Sequence, residues 1–130
     1  MTDRILAGLN ILVVEDEMML LMMIEGMLAD MGCETVSAAA TVKQALVLVE
    51  TQTFDVAMLD LNLNGDRTYP VATALASRGV PFLFSTGYGA EGVIEGYQDR
   101  PVLKKPYQFE ELVSAMRALI PPDRSLPRAA

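Results

Sequence analysis

Short apolar runs alternate with longer amphipathic segments along this chain, and the alternation predicts strands and helices in turn. The strand-like runs are continuously apolar, which is typical of strands buried on both faces of a parallel sheet. The longer segments carry their apolar residues at helical spacing. We therefore predict strands at residues 10–15, 34–39, 54–60, 81–86 and 101–105, and helices at residues 16–32, 41–52, 69–79 and 108–120.

The order of these elements indicates an α/β fold. Five strands joined by helices fit a doubly wound, flavodoxin-like parallel sheet with the strand order 2-1-3-4-5. We expect Asp16 near the N-cap of the first helix and Gly32 at its C-cap, and we expect Thr41 to cap the second helix. A fourth helix, between the last two strands, should be short or mobile because four glycines fall between Gly87 and Gly96.

Composition narrows the classes of protein to consider. The 130 residues are 52% hydrophobic, enough for one domain over residues 1–120, while residues 121–130 contain three prolines and predict a disordered tail. A formal net charge of −7 leaves little material for a basic nucleic-acid-binding face. The single cysteine, Cys33, excludes an internal disulfide bond. With no membrane-length apolar run and no signal peptide, we expect a cytoplasmic protein that binds neither nucleic acid nor a membrane.

Polar side chains follow the central strands of the predicted sheet. In a doubly wound sheet, binding groups collect beyond the carboxyl ends of the strands, so residues at these positions should surround one crevice. Each of them alone is explained by a turn or a helix cap, but their joint placement at different strand ends favours a functional site. They are Glu15 and Asp16 after the first strand, Asp60 after the third, Ser85 and Thr86 after the fourth, and Lys104, Lys105 and Pro106 at the fifth.

Three carboxylates in one crevice repel each other strongly unless a proton or a cation lies among them. Oxygen ligands without histidine or cysteine favour Mg²⁺ over zinc. A carboxylate beside Mg²⁺, an ammonium group and a hydroxyl suits phosphoryl transfer through an acyl phosphate. The residue types therefore indicate a site at which a carboxylate accepts a phosphoryl group.

Over residues 10–120 the chain resembles the bacterial response-regulator receiver domain. The order and approximate spacing of Glu15-Asp16, Asp60, Thr86 and Lys105-Pro106 agree with that family. The resemblance implies a signalling domain, not an enzyme in its own right, which takes a phosphoryl group from a histidine kinase or phosphotransfer protein. Such a domain assists its own phosphorylation and dephosphorylation. We expect a monomer with a downstream protein target as its other partner.

The resemblance implies the acceptor and the metal ligands. Asp60 would be the phosphoacceptor. Asp16 would bind Mg²⁺ directly, and Glu15 would help through water. Asp60 itself and the backbone carbonyl of Asn62, two residues further on, would complete the protein ligands.

The resemblance also implies how the phosphoryl group is held. Lys105 would pair with it, Thr86 would hydrogen-bond it, and the peptide between Lys105 and Pro106 would be cis. One position departs from the family, because Val102 stands where many receivers carry an aromatic residue that moves with the threonine. Tyr88 is a candidate for that modulating role.

Two local sequences resemble the receiver subfamily nicknamed FAT GUY. Residues 84–88 read Phe-Ser-Thr-Gly-Tyr, with serine in place of the alanine of the nickname. The segment after Asp60 reads Leu-Asn-Leu-Asn-Gly, where most receivers have Met-Pro. Too few residues follow Ile120 for a DNA-binding domain. We therefore expect a stand-alone regulator that either binds a target protein or serves as a phosphate sink.

The first predicted helix contains six methionines between Met18 and Met31. A helix of this fold needs only one apolar face, and its other apolar residues suffice to fill that face. Methionine-rich surfaces adapt to partners, and receivers use this helix to meet the kinase. We predict that Met18, Met19 and Met22 lie near the docking surface for the kinase. The alternative is that methionine fills an irregular core.

Two other functions fit parts of the pattern. A degenerate receiver would be an interaction module that works without phosphorylation, although all five key positions are filled. A phosphatase of the haloacid-dehalogenase type also uses an aspartate nucleophile on a doubly wound sheet. In that class the nucleophile follows the first strand and the acidic pair comes late, which is the reverse of the order here.

Overall fold

A computed structural model describes residues 4–63, 65–87 and 100–120 of the chain. The predicted fourth helix, Tyr88 and the predicted tail lie outside these residues. No helix within the described ranges is both long enough and apolar enough to cross a membrane. The elements are β1 (Asn10–Val14), α1 (Met18–Asp30), β2 (Thr35–Ala39), α2 (Val42–Thr51), β3 (Val56–Asp60), β4 (Asn62–Leu63), β5 (Asp66–Arg67), α3 (Tyr69–Ser77), β6 (Phe82–Thr86), β7 (Val102–Lys104) and α4 (Phe109–Leu119).

The main sheet has five parallel strands in the order β2-β1-β3-β6-β7. Counted along the main sheet alone, this is the predicted order 2-1-3-4-5, so the predicted fold class is confirmed. The register aligns the carboxyl ends of the central strands: Asp60 of β3 lies opposite Ser85 of β6, and Thr86 lies opposite Lys104 of β7. The residues that follow these strands therefore meet at one edge of the sheet.

Helices cover both faces of the sheet. Successive residues of β1 point to opposite faces, so that Leu12 and Val14 pack on one side while Ile11 and Val13 pack on the other. The buried residues of α2 and α3 join the first side, and those of α1 and α4 join the second. Because both faces of the central strand β3 are covered, all five of its residues are buried. This explains why the strands read as continuous apolar runs.

A short antiparallel hairpin follows β3, and the sequence indicated only a turn there. Asn62 of β4 pairs with Arg67 of β5, and the next pair closes a two-residue turn. Gly65 in that turn has a φ of +97°, which side chains rarely adopt, and its N–H donates to Asn62 Oδ1 at 2.8 Å. Leu61 and Leu63 insert into the core on the α2 and α3 side. The hairpin thus fixes the backbone immediately after Asp60.

The predicted caps of the first two helices agree with the structure in part. Asp16 lies next to the N-cap of α1, as predicted, and the cap itself is Glu17, whose side chain makes no capping bond. The carboxylate of Asp16 lies with those of Glu15 and Asp60 in an acidic cluster. We predicted Gly32 as the C-cap of α1, but the C-cap is Met31, one residue earlier. The predicted cap of α2 is confirmed, because Thr41 Oγ1 accepts a hydrogen bond from Gln44 N at 3.1 Å.

Candidate functional site

An acidic cluster lies at the carboxyl edge of the sheet. Glu15 and Asp16 follow β1, and Asp60 ends the neighbouring strand β3. One carboxylate oxygen from each of the three residues lies within 4.8 Å of the others. Glu15 and Asp60 are buried, while Asp16 is half-buried. The structure therefore brings together the three carboxylates that the sequence placed at strand ends.

Lys105, directly after β7, lies between two of these carboxylates. Its Nζ atom is 3.0 Å from Glu15 Oε1 and 2.9 Å from Asp60 Oδ2. Burial lowers the pKa of Lys105, but the hydrogen bonds and charges of Asp60 and Glu15 outweigh that effect and leave it raised. The ammonium group therefore stays charged and offsets part of the negative charge of the cluster.

Asp60 is held on both of its carboxylate oxygens. Oδ2 contacts Lys105, and Oδ1 accepts a hydrogen bond from the backbone N–H of Asn62 at 3.2 Å. The side-chain oxygen of Asn62 accepts a hydrogen bond within the hairpin turn. The contact of Asn62 with Asp60 is therefore made by its backbone N–H. Because β3 is buried on both faces and the hairpin fixes the following loop, the carboxylate has little freedom to move.

Glu15 holds its proton more tightly than an exposed glutamate does, mainly because it is buried. Burial raises the pKa of Glu15 from 4.5 to about 7. Hydrogen bonds from Lys105 and Glu17 oppose this rise in part, and the charge of Asp60 adds to it. The second oxygen of Glu15, Oε2, accepts a hydrogen bond from Glu17 N at 3.1 Å. Among the described residues, three carboxylates thus lie beside the ammonium group of Lys105. Their oxygens form a donor set that fits a hard divalent cation, with Glu15 giving up its proton in exchange.

Thr86 ends β6 and is buried beside the cluster. Its carbonyl accepts a hydrogen bond from Lys105 N at 2.8 Å, which ties the two residues together. The peptide between Lys105 and Pro106 is cis. Val102, which stands where many receivers carry an aromatic residue, lies opposite Phe84 in the sheet register.

Two buried hydroxyls near the site were not singled out from the sequence. Within the part of the chain that the structure describes, the phenol of Tyr107 and the hydroxyl of Thr68 have no hydrogen-bond partner. Burial, and then the charges of Glu15 and Asp60, raise the pKa of Tyr107, so the phenol stays protonated. In the sequence, the position of Tyr107 directly after Lys105-Pro106 was the signal that could have identified it. Thr68 is the N-cap of α3, but its side chain makes no capping bond.

The predicted docking methionines lie on the solvent side of α1. Met18 is 68% exposed, Met19 82% and Met22 62%, and the neighbouring Met23 is exposed as well. Ile24 of the same helix packs in the core. The alternative that these methionines fill the core is therefore wrong for all three, whereas their role in docking stays a prediction.

The fold and the site together define a class of protein. Residues 11–117 match the response regulator receiver domain, and the chain belongs to that family. The resemblance seen in the sequence is thereby confirmed at the level of the family, and membership of the FAT GUY subfamily stays a prediction.

Individual relatives agree with this assignment. The two-component response regulator PhoP of Pseudomonas aeruginosa is 34% identical over 119 residues, which are 86% of this chain and 52% of PhoP. This chain spans about half the length of the curated relatives it matches. The solution structure of SdrG from Sphingomonas melonis Fr1 is 41% identical with a TM-score of 0.78, covering 88% of this chain and 97% of SdrG.

One solved relative contains a metal. The receiver domain of the sensor histidine kinase PA1611 from Pseudomonas aeruginosa PAO1 is 27% identical, with a TM-score of 0.72 over 87% of this chain and 98% of that domain. Its crystal structure has a magnesium ion coordinated in the active site cleft.

Proposed function

We propose that this chain accepts a phosphoryl group on Asp60 from a phosphohistidine of a sensor kinase or phosphotransfer protein. The observation that carries the proposal is the contact of Lys105 Nζ with both Asp60 Oδ2 and Glu15 Oε1 at the carboxyl edge of the sheet. This arrangement holds a carboxylate nucleophile beside a cation at the one place where a doubly wound sheet presents its binding groups.

The geometry supports a role for each residue in the transfer. An oxygen of Asp60 forms a bond to phosphorus while the phosphorus–nitrogen bond breaks, and the imidazole nitrogen keeps the electron pair and takes up a proton. Lys105 then pairs with an oxygen of the phosphoryl group, replacing its contact with Asp60. Thr86, tied to Lys105 through the backbone, donates its hydroxyl to the phosphoryl group.

We propose Mg²⁺ as the cofactor. The fit rests on the oxygen-only donor set of Glu15, Asp16 and Asp60, three carboxylates gathered beside the ammonium group of Lys105. The backbone carbonyl of Asn62 is a further candidate ligand, as is expected of its place two residues after the acceptor. When bound, Mg²⁺ supplies the positive charge that offsets the carboxylates and the entering phosphoryl oxygens. The magnesium ion of the PA1611 receiver supports this choice.

The kinase or phosphotransfer protein is proposed to dock on α1. Met18, Met19 and Met22 form an exposed apolar surface that begins two residues after Asp16. A donor protein seated there would bring its phosphohistidine over the crevice. After phosphorylation, the chain either binds a target protein or serves as a phosphate sink.

The experiment that tests the proposal has two parts. First, binding of beryllofluoride, a phosphoryl analogue, is followed by fluorine NMR with and without Mg²⁺, and we expect a signal only when Mg²⁺ is present. Second, phosphotransfer is screened against sensor kinases of the host. The Asp60→Ala variant is expected to lose both activities, whereas Asp66→Ala, at an exposed aspartate of the hairpin, should keep both.

The outcomes separate the proposal from its alternatives. Beryllofluoride binding that needs Mg²⁺ and Asp60 excludes a degenerate receiver that works without phosphorylation. Phosphotransfer that persists in Asp60→Ala would overturn the assignment of the acceptor. The family match leaves the dehalogenase-type phosphatase without support.

A further inference from the structure

Helix α2 has an exposed face that the proposed function does not use. Its buried residues pack in the core, and its opposite side carries four residues at helical spacing, which we call the α2 stripe: Lys43, Leu46, Val47 and Glu50. Val47 is 51% exposed. The other large apolar side chains that are exposed in the described part of the chain are all methionines of α1. The α2 stripe is therefore a second apolar surface, separate from the α1 face.

The charges at the two ends of the α2 stripe are available to another molecule. Lys43 and Glu50 are both exposed. They are two helical turns apart, beyond the one-turn separation at which side chains of a helix pair with each other. Among the described residues, neither takes part in an ion pair. A partner that supplies an acidic group at one end and a basic group at the other would pair with both.

The α2 stripe is its own complement. Lys43 stands three positions before Leu46, and Glu50 stands three positions after Val47. When two copies of α2 lie antiparallel across a two-fold axis between Leu46 and Val47, Lys43 of each copy is level with Glu50 of the other. A two-fold interface requires a self-complementary surface of this kind. A second copy of the chain thus supplies both missing charges.

A groove beside the α2 stripe gives the second copy a place to sit. Its volume is about 600 Å³, and its far wall is formed by Asp66, Arg67 and Pro70. Asp66 and Arg67 are exposed and opposite in charge. The groove is therefore lined by two acidic and two basic residues, although the whole chain has a formal net charge of −7. Because like charges repel across an interface, an acidic chain meets its own copy most favourably at such a balanced surface.

We propose that the α2 stripe and its groove are a self-association face, at which two copies of the chain pair antiparallel through α2. Leu46 and Val47 of both copies lie at the centre, and ion pairs between Lys43 and Glu50 close both ends. A helix of 10 residues offers less area than a standard stable interface, so we expect reversible pairing with a dissociation constant on the order of 0.1–1 mM. The inference is independent of the proposed function, since none of these residues belongs to the crevice.

The test follows pairing of the full chain by NMR at protein concentrations of roughly 0.05–1 mM, the range of the expected constant. Salt at about 150 mM screens long-range repulsion between the acidic chains. The rotational correlation time should rise with concentration, and amide shifts should change in α2 and in the groove wall. Lys43→Glu and Glu50→Lys each place like charges opposite each other and should weaken pairing about tenfold or more, as should Val47→Gln at the centre.

A mixture of the two charge variants is the sharper test. In a pair of one Lys43→Glu chain and one Glu50→Lys chain, both ends again join opposite charges. The equimolar mixture should therefore regain pairing that neither variant shows alone. A mixture of Lys104→Glu and Glu110→Lys is the matched control, because it makes the same changes of charge at exposed positions outside α2. These two variants should pair as the wild type does, both alone and mixed.

Three results would overturn the inference. A wild-type chain that stays monomeric over the whole range would leave the α2 stripe to a different protein or to solvent. Pairing that persists in both charge variants would place the contact outside α2. Pairing that is lost when Met18, Met19 and Met22 are replaced with glutamine would place it on the α1 face. None of these results would change the expected phosphorylation of Asp60, which is tested separately.

Discussion

The acidic crevice and the exposed face of α1 meet at Glu17 but are built in opposite ways. The crevice is buried and charged, and the carboxylates of Glu15 and Asp60 are both held by hydrogen bonds. The α1 face, formed by Met18, Met19 and Met22, is exposed and apolar. The role proposed for the crevice is chemistry on a small group, whereas the role proposed for the face is recognition of a protein. Variants of the two regions should therefore have separable effects.

The largest expected effect is in the crevice, at Lys105. Lys105→Met leaves two buried carboxylates without their cation, and breaking a buried pair in this way typically costs about 3 kcal/mol. We expect a loss of this size in the free energy of unfolding at pH 8 without metal, measured by urea denaturation. Added Mg²⁺ should restore part of the loss, because it replaces the missing positive charge.

The neighbouring Lys104 gives a matched control. It is exposed at the end of β7, so Lys104→Met should change the free energy of unfolding by no more than about 0.5 kcal/mol. Equal losses in the two variants would show that the crevice does not depend on the ammonium group of Lys105, and the contrast with the α1 face would lose its basis.

The crevice was largely predictable from the sequence for a topological reason. Its residues stand directly after continuous apolar runs, and a parallel sheet brings the carboxyl ends of its strands to one edge. Asp60 and Ser85 were therefore expected to be neighbours before their register was known, and they lie opposite each other. The exposure of the methionines followed from helical spacing, since one face of α1 is filled by residues such as Ile24 and Leu28.

The features that escaped prediction depend on tertiary contacts. Strands β4 and β5 have two residues each, which is too short for any periodicity, so the Asn-Gly signal indicated a turn but not its paired strands. The burial of the Tyr107 hydroxyl depends on how its ring packs, which residue types alone do not determine.

The next effect concerns the α1 face. Replacing Met18, Met19 and Met22 together with glutamine keeps the length of the side chains and removes their apolar character. We expect the rate of transfer from the kinase or phosphotransfer protein to fall about tenfold or more, which corresponds to roughly 1.4 kcal/mol of lost binding. Phosphorylation by a small donor such as acetyl phosphate should be unchanged, because the crevice is intact.

Val47→Gln serves as the control for the methionine variant. Val47 is an exposed apolar residue of α2, on the opposite face of the sheet, and its substitution should leave both reactions at wild-type rates. If transfer from the protein donor and from the small donor slowed equally in the methionine variant, the docking role of the α1 face would be refuted.

The pH dependence of the crevice gives a third prediction. Burial raises the pKa of Glu15 from 4.5 to about 7, so between these values the folded chain holds a proton that the unfolded chain has released. The contribution of Glu15 to stability without metal is therefore fully present below pH 4.5 and is lost as the pH rises through 7. Mg²⁺ affinity should move in the opposite direction, falling by up to about tenfold per pH unit below 7 because the proton must leave.

The Glu15→Gln variant isolates this titration from those of other groups. Its Mg²⁺ affinity should be weaker than that of the wild type and nearly constant between pH 6 and pH 8. An equally steep dependence in Glu15→Gln, measured by titration calorimetry, would assign the proton to another group of the crevice.

The smallest effect is at Gly26, in the middle of α1, and it links stability to the exposed face. An added Cβ at Gly26 would meet no atom within 4 Å, and alanine favours a helix over glycine by up to about 1 kcal/mol. We expect Gly26→Ala to raise the free energy of unfolding by roughly 0.5–1 kcal/mol. Gly79 is the matched control, because a Cβ there also has open space but the φ of +71° disfavours alanine, so Gly79→Ala should destabilise.

If Gly26→Ala also slows transfer from the protein donor while leaving the small donor unaffected, the glycine is retained for close approach of the partner. Unchanged transfer would confine the recognition surface to the methionines.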